Sequence, residues 1–380
     1  MKILFVHDLV FRKRESGRIS CNGGLTPLYF DRFFDASYDH VEILSRVCAT
    51  GDKGVDFDTS VFSISSGSVS SYANLLSVRR FFEILRGLKA ADLVVLSTPS
   101  VIGSYCAVVC FLFGVRYVVE VAGDDDAFAS KRGGRLVTAI LKILMPHFVR
   151  RAIGAAYVSE FLLCKFPNPK HVVASNVNIN SIRVPRTIAS SLSASRRFVI
   201  GFVGALTHRK GVDTIIDAAD RLILTEGFKN LKFIIIGSHA ESDWEAVVHA
   251  RGLDDYFEFR GSQPQEKVLD FMDSMDLYIQ PSRSEGLARS TIEAMSRGLP
   301  VIATNLPGFI ELLPEFVLVQ VGSADDLAAK IVSLSNRDTL QKCSELNRKR
   351  AGEYLYSELH AQRVMFYKGF GDENSNSPVG

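Results

Sequence analysis

The chain has 380 residues, more than one ordinary core accommodates and enough for two domains. Hydrophobic residues make up 47% and charged residues 23%, a globular composition, and a formal net charge of +2 is too small for a nucleic-acid binder. The charge is uneven: residues 1–180 hold 21 Lys and Arg against 16 Asp and Glu, and residues 181–380 hold 23 against 26, which suits an anionic surface beside the first half.

The opening MKILFVHDL is an apolar run too short for a signal peptide and reads as a first buried strand over 2–6. Further strand-like runs are 41–44, 92–96, 116–121 and 155–158, with helix-like stretches near 25–35, 71–89, 101–114 and 133–151. Residues 101–115 are apolar but stop at Arg116, short of the ~20 residues a spanning helix needs. A buried helix followed by a buried strand is expected there. The six cysteines are Cys21, Cys48, Cys106, Cys110, Cys164 and Cys343, and none form a C-x-x-C pair. Cys106 and Cys110 lie one helical turn apart, which favours buried thiols over a metal site, and this usage suits a reducing cytoplasm.

Three features of this half carry charge or freedom. Gly23-Gly24 sits in the loop after the first strand. The run Asp124–Asp126 reads either as helix-capping or turn carboxylates, or as a D-x-D metal motif. Residues 131–151 (KRGGRLVTAILKILMPHFVRR) place basic residues beside an amphipathic apolar face, which suits an anionic membrane surface at about 1 kcal/mol per nearby cation. The same pattern suits a helix packed on the first sheet with a solvated basic face, and both can hold on one helix.

Residues 181–197 carry Ser, Pro and Arg without a sustained period and read as a linker. Beyond them strands are expected at 198–203, 231–236, 256–260, 276–280, 299–303 and 316–320. Continuous apolar strands alternating with helices imply an α/β fold with parallel sheets covered on both faces. Two doubly wound domains place a ligand cleft between the C-terminal edges of their sheets.

The first strand of this half runs into Gly204, then a loop with His208, Arg209 and Lys210, then a helix from about Gly211. Cations at such a turn suit a diphosphate, although an R-K-G turn is more often simply solvated. The most specific signal is QPSRSEGLARSTIEAMSRGLPVIAT, 280–304. Glu285 and Glu293 flank a loop in which Gly286 allows close backbone approach, and the amides of Leu287, Ala288 and Arg289 lead into a helix. This is a ready diphosphate cradle with carboxylates for sugar hydroxyls on either side. Ser290–Glu293 is also a capping box, so Glu293 has a structural reading of its own.

These segments together resemble family 4 of the retaining GT-B glycosyltransferases, whose members carry an E-x7-E motif in this setting and a strand–G-R-L-x-x-x-K-G–helix motif upstream. The likeness is specific over roughly 198–313 and looser over the first half. It implies two Rossmann-like domains with parallel sheets facing across a cleft: 1–180 for the acceptor, a linker at 181–197, and 198–347 for a nucleotide-sugar donor. A helix over 348–370 is expected to cross back to the first domain, ahead of a disordered tail at 371–380.

By position, the resemblance gives Glu285 the donor sugar hydroxyls, Glu293 the ribose, and Lys210 the diphosphate. Gly23 and Gly24 then admit backbone approach to the donor phosphates, unless they form an ordinary turn. Two departures stand out. Ala205 occupies the place of the arginine in G-R-L, leaving Arg209 as the candidate to replace it. Ala122 occupies the place of a histidine, leaving Asp124 as the nearest candidate to touch the acceptor.

The implied activity is transfer of a sugar to a hydroxyl of a glycan or lipid-linked acceptor, in bacterial cell-surface polysaccharide synthesis. No metal or other cofactor is expected, because Lys210 and a helix terminus already meet the phosphate charge. The expected location is cytoplasmic, with peripheral contact to an anionic membrane and no nucleic acid partner. Two alternatives stay open: a nucleotide-sugar epimerase of the same fold, against which the E-x7-E motif argues, and a catalytically silent sugar-nucleotide-binding protein.

Overall fold

The computed structural model describes residues 1–13, 17–21, 25–48, 54–123, 135–183, 197–225, 227–239 and 241–375, without the side chains of 135–142 and 372–375. Gly23, Gly24 and Asp124–Asp126 lie outside the described residues, as does most of the expected linker. The chain divides into two compact units, one of residues 1–176 with 359–380 and one of residues 177–358.

The first unit is built on a nine-stranded sheet. Its parallel part runs β5 (Phe62–Ile64), β3 (His40–Cys48), β1 (Lys2–Lys13), β6 (Leu93–Thr98), β7 (Tyr117–Val121), β8 (Gly154–Tyr157) and β9 (His171–Val173). Two short strands extend the sheet from the far end of β1: β2 (Ile19–Cys21) pairs antiparallel with β1, and β4 (Val55–Phe57) pairs antiparallel with β2. The apolar strands are buried on both faces, which is why they read as unbroken runs. Leu4, Val6, Val94, Leu96, Val119 and Val121 pack under one layer that includes Ile84, Cys106 and Met145. Ile3, Phe5, Val95 and Val118 pack under another, with Phe30, Phe33, Tyr367 and Phe370.

The last two of those residues belong to the helix Tyr356–Ser375, so the end of the chain completes the first unit. A buried polar cluster secures it. Glu120 accepts hydrogen bonds from Tyr367 Oη at 2.6 Å, from Tyr29 Oη, and from Arg32 Nη1 at 3.4 Å. Arg363, on the same helix, donates to the carbonyls of Ala174 and Ser175. Burial pushes the phenol of Tyr367 well up, so it remains a neutral donor.

The second unit holds a six-stranded, wholly parallel sheet: β12 (Phe257–Phe259), β11 (Leu231–Ile236), β10 (Phe198–Val203), β13 (Leu277–Gln280), β14 (Val301–Thr304) and β15 (Leu318–Val319). By sequence this is the order 3-2-1-4-5-6 of a Rossmann sheet, with its switch point between β10 and β13.

Several elements depart from expectation. The first strand continues past a bulge between Val6 and Val10 as far as Lys13, because its far end gains β2 as a partner. The stretch 71–89 is two elements, a 3-10 turn over Tyr72–Leu76 and a helix over Val78–Ala90, separated by Ser77 in an extended conformation. The region 348–370 is likewise broken, with a helix Arg337–Ala351 and a 3-10 turn Gly352–Tyr354 before Tyr356. The last helix runs on to Ser375 through five residues expected as tail. Gly371 is buried there, and no proline interrupts before Pro378.

Candidate functional site

The two loops singled out by sequence leave the C-terminal ends of β10 and β13, the adjacent strands at the switch point of the second sheet. The first loop passes Gly204 and makes a 3-10 turn at His208–Lys210, capped by Thr207 Oγ1 at 3.2 Å from the Lys210 amide. Gly211 then turns left-handed at φ 77° and opens the helix Val212–Asp220. No other residue fits, because a Cβ there would lie 2.0 Å from the Pro281 carbonyl oxygen. That contact is the second loop, so glycine sets how closely the two loops approach.

Once together, the loops are cross-linked. The Arg283 amide donates to the Arg209 carbonyl at 2.8 Å, and Arg209 Nη1 donates to the Ser284 carbonyl at 2.8 Å. The Arg283 guanidinium makes a fork with Asp213 at 2.8 and 2.7 Å. Burial works to raise the Asp213 carboxyl, but the Arg283 hydrogen bonds and charge, with His208, outweigh it and hold the carboxyl below its usual range.

Lys210 and Glu285 meet at the centre of this arrangement. Lys210 Nζ donates to Glu285 Oε1, with the two side chains 16% and 8% exposed. Ser282 Oγ donates to the same oxygen at 2.8 Å. Behind Ser282, Gln280 Nε2 donates to Ser282 Oγ at 3.0 Å, and Tyr278 Oη donates to Gln280 Oε1 at 2.6 Å. Tyr278, Gln280 and Ser282 are fully buried, so Glu285 stands on a satisfied polar chain rooted in β13.

Residues Gly286 to Ala288 lead into the helix Arg289–Ser296, whose N-cap is Ala288 and which has no side-chain cap. The capping box expected of Ser290 and Glu293 is therefore not formed, since the N-cap is two residues earlier than Ser290. Glu293 instead accepts a hydrogen bond from Gln265 Nε2 at 3.1 Å. Burial raises its carboxyl above the usual range, against the lowering effects of Arg289 and Gln265. Arg289 is exposed, Leu287 is half-buried and Ala288 is buried. Gly286 packs on Gly308, where a Cβ would come within 2.3 Å of the Gly286 carbonyl oxygen. Gly204 makes the same kind of contact with Gly237, at 1.7 Å.

The second unit thus brings together Gly204, Arg209, Lys210, Glu285, Gly286 and the start of the Arg289 helix on one sheet edge. Sequence reasoning missed Tyr278, Gln280, Ser282 and Gln265. Gln280 left a trace, as the one polar residue of the buried strand LYIQ. Gln265 left none, lying 28 residues from Glu293 at the start of another helix. Among the described residues no three His, Cys, Asp or Glu side chains converge as a metal-binding group.

Residues 184–350 match the family model described as glycosyl transferases group 1. Protein CapJ of Staphylococcus aureus is 25% identical over 353 residues, covering 90% of this chain and 87% of its own. The capsular polysaccharide biosynthesis glycosyltransferase CapM of the same organism is 28% identical over 187 residues, 45% of this chain and 47% of its own. Among solved structures, sucrose-phosphate synthase from Thermosynechococcus elongatus superposes with a TM-score of 0.71 at 15% identity, over 98% of this chain and 100% of that one. Anabaena Alr3699/HepE in complex with UDP-glucose superposes at 0.66 and 16% identity, over 99% and 100%. Its fold, its matched segment and its glycosyltransferase relatives agree: the chain is a glycosyltransferase of GT-B fold, and its residues 184–350 are similar to the glycosyl transferases group 1.

Proposed function

We propose that the enzyme takes its sugar from a nucleotide diphosphate-sugar and transfers it, with retention of anomeric configuration, to a hydroxyl of a glycan or lipid-linked acceptor. The observation that carries this reading is the Lys210–Glu285 pair at the switch point, beside a helix start that no side chain caps. A diphosphate suits the helix terminus and Lys210 by charge, with Arg209 adjacent. Glu285 would take hydroxyls of the donor sugar and Glu293 those of the ribose.

In the step itself, the bond from the anomeric carbon to the phosphate oxygen breaks and the bond to the acceptor oxygen forms on the same face. The acceptor proton passes to the departing phosphate oxygen. Lys210 stabilises the charge that develops on the diphosphate, so no metal is required in this reading. Asp124, proposed to contact the acceptor, and Gly23-Gly24, proposed beside the donor phosphates, lie outside the described residues.

Bacterial surface polysaccharide synthesis on the cytoplasmic side of the membrane is the setting proposed. The similarity to CapM, a glycosyltransferase of capsular polysaccharide biosynthesis, supports it, and six cysteines without a C-x-x-C pair suit a reducing compartment. Among the described residues no helix is long and apolar enough to cross a membrane, so the membrane contact proposed is peripheral.

The test is a thermal-shift panel of UDP-, GDP- and ADP-sugars in EDTA, repeated on Glu285→Ala. A donor at a hundredfold its dissociation constant adds about 2.7 kcal/mol of stability. Stabilisation by one nucleotide family, weakened in Glu285→Ala, is expected. Absence of any shift would leave the donor reading without support.

A further inference from the structure

The helices on one face of the first sheet present apolar side chains to solvent as well as to the core. Leu76 is 87% exposed, Val78 72% and Phe82 61%, while on the neighbouring helix Val101–Phe113 Phe111 is 56% and Leu112 65% exposed. These residues form one surface. Phe81 packs its ring against Phe82 at 5.4 Å and against Phe113 at 5.8 Å, joining the two helices. Ile143, from the helix Arg135–Arg151 on the same side of the sheet, is also exposed.

Cations border this surface. On the helix Val78–Ala90, Val78, Phe82, Arg86 and Lys89 recur at helical spacing and are all exposed, so one stripe passes from apolar to basic. Lys89 Nζ lies 5.6 Å from the Phe113 ring, and the Arg151 guanidinium lies 4.4 Å from the Phe111 ring. Such contacts keep the charged heads at the rim while their stems cover apolar surface. Glu83 is the one carboxylate in the sequence of these three helices, and it is already paired with Arg79 at 2.9 Å and Arg80 at 2.7 Å.

Scattered exposed apolar residues are ordinary, whereas a joined apolar surface with a one-sign border calls for a partner. A second copy docked face to face would set these cations against themselves, because a two-fold contact uses the same surface twice. An anionic bilayer answers both properties: its headgroups attract the border, and its acyl region accepts Leu76, Phe82 and Leu112.

We propose that this face of the first unit, from Leu76 across Phe82 to Leu112, docks on an anionic phospholipid bilayer. The inference rests on the lipid-linked acceptor of the reading above and names the surface that brings the enzyme to it. It enlarges the role expected of residues 131–151, since most of the exposed apolar side chains named come from the helices Val78–Ala90 and Val101–Phe113.

The test is co-sedimentation of the full chain with vesicles of phosphatidylcholine, alone or mixed with phosphatidylglycerol. Binding is expected to the mixed vesicles only, and to weaken as salt rises. The variant Leu76→Gln/Phe82→Gln/Leu112→Gln should lower the partition coefficient at least about tenfold, since each buried apolar side chain contributes about that factor. Arg86→Glu/Lys89→Glu should weaken binding and flatten its salt dependence. Thermal stabilisation by the donor nucleotide should survive in both variants. No binding to mixed vesicles, undiminished binding by the triple variant, or self-association that the triple variant abolishes without any vesicle binding would each overturn the proposal. Vesicle binding without a response to any sugar nucleotide would instead count against the donor reading alone.

Discussion

Lys210 and Glu285, 75 residues apart in sequence, form a largely buried ion pair at the switch point of the second sheet. Lys210→Ala removes the counter-charge and leaves Glu285 enclosed, which should destabilise the second unit by about 3 kcal/mol. Lys210→Ala/Glu285→Ala should recover part of that loss, and a double-mutant cycle on thermal unfolding measures how much. Activity should stay depressed in the double variant, separating the pair's structural coupling from the role proposed for it on the donor.

Glu285→Gln keeps the shape and removes the charge. Loss of charge-assisted hydrogen bonds to the donor sugar should cost about 1.5–3 kcal/mol, or roughly ten- to over a hundredfold in kcat/KM. Steady-state kinetics on a folded variant checks this. An unchanged value would remove Glu285 from the donor site.

Gly308 lies outside both loops, yet its missing side chain fixes the position of Gly286. Gly308→Ala would set a Cβ against the Gly286 carbonyl oxygen and push the loop outward. We expect a stability loss of about 1–3 kcal/mol and, at temperatures where the variant is folded, weaker donor binding by calorimetry.

Glu293 gives a prediction whose sign depends on pH. Its carboxyl is raised by burial, so the folded protein holds the proton more tightly than the unfolded chain does. The cost of ionising it is absent below the unfolded carboxylate range and grows as pH rises through that range toward neutrality. Glu293→Gln should therefore gain in melting temperature relative to the wild type between acid and neutral pH. Its donor affinity should fall, and melting curves at several pH values with and without nucleotide measure both effects.

In the first unit, Glu120 faces Arg32 with both side chains almost fully enclosed. Glu120→Gln leaves that guanidinium without its carboxylate and should cost about 3–5 kcal/mol of stability, read by denaturant unfolding. Donor binding to the second unit should be preserved wherever the variant remains folded.

The parts of this molecule that sequence disclosed are those governed by local pattern. The strands FVIGFV and LKFIII stand where their apolar runs end, because a strand buried on both faces has no polar alternation to confuse. The loops bearing Lys210 and Glu285 were legible through glycine and charge at strand ends. What stayed hidden depends on partners distant in sequence. Nothing around Arg32 foretells Glu120, 88 residues on, or Tyr367 beyond it. The capping-box pattern at Ser290 misled because the N-cap is Ala288, two residues earlier, leaving Glu293 to accept from Gln265. Likewise the extension of the first strand to Lys13 is set by pairing with Ile19–Cys21, which its own residues do not announce.

The return of the helix Tyr356–Ser375 to the first unit also bears on the order in which the protein can be made. Tyr367 and Phe370, which complete one core layer of that unit, are translated after the whole of residues 177–358. On the ribosome the second unit can therefore close before the first is finished. Until the last helix emerges, Phe33 lacks the ring of Tyr367, which packs against it at 4.7 Å, and Glu120 lacks one of its hydrogen-bond donors. A chain cut short at residue 358 would carry an intact second unit and a first unit with part of its core open to water, a state exposed to chaperones and proteases.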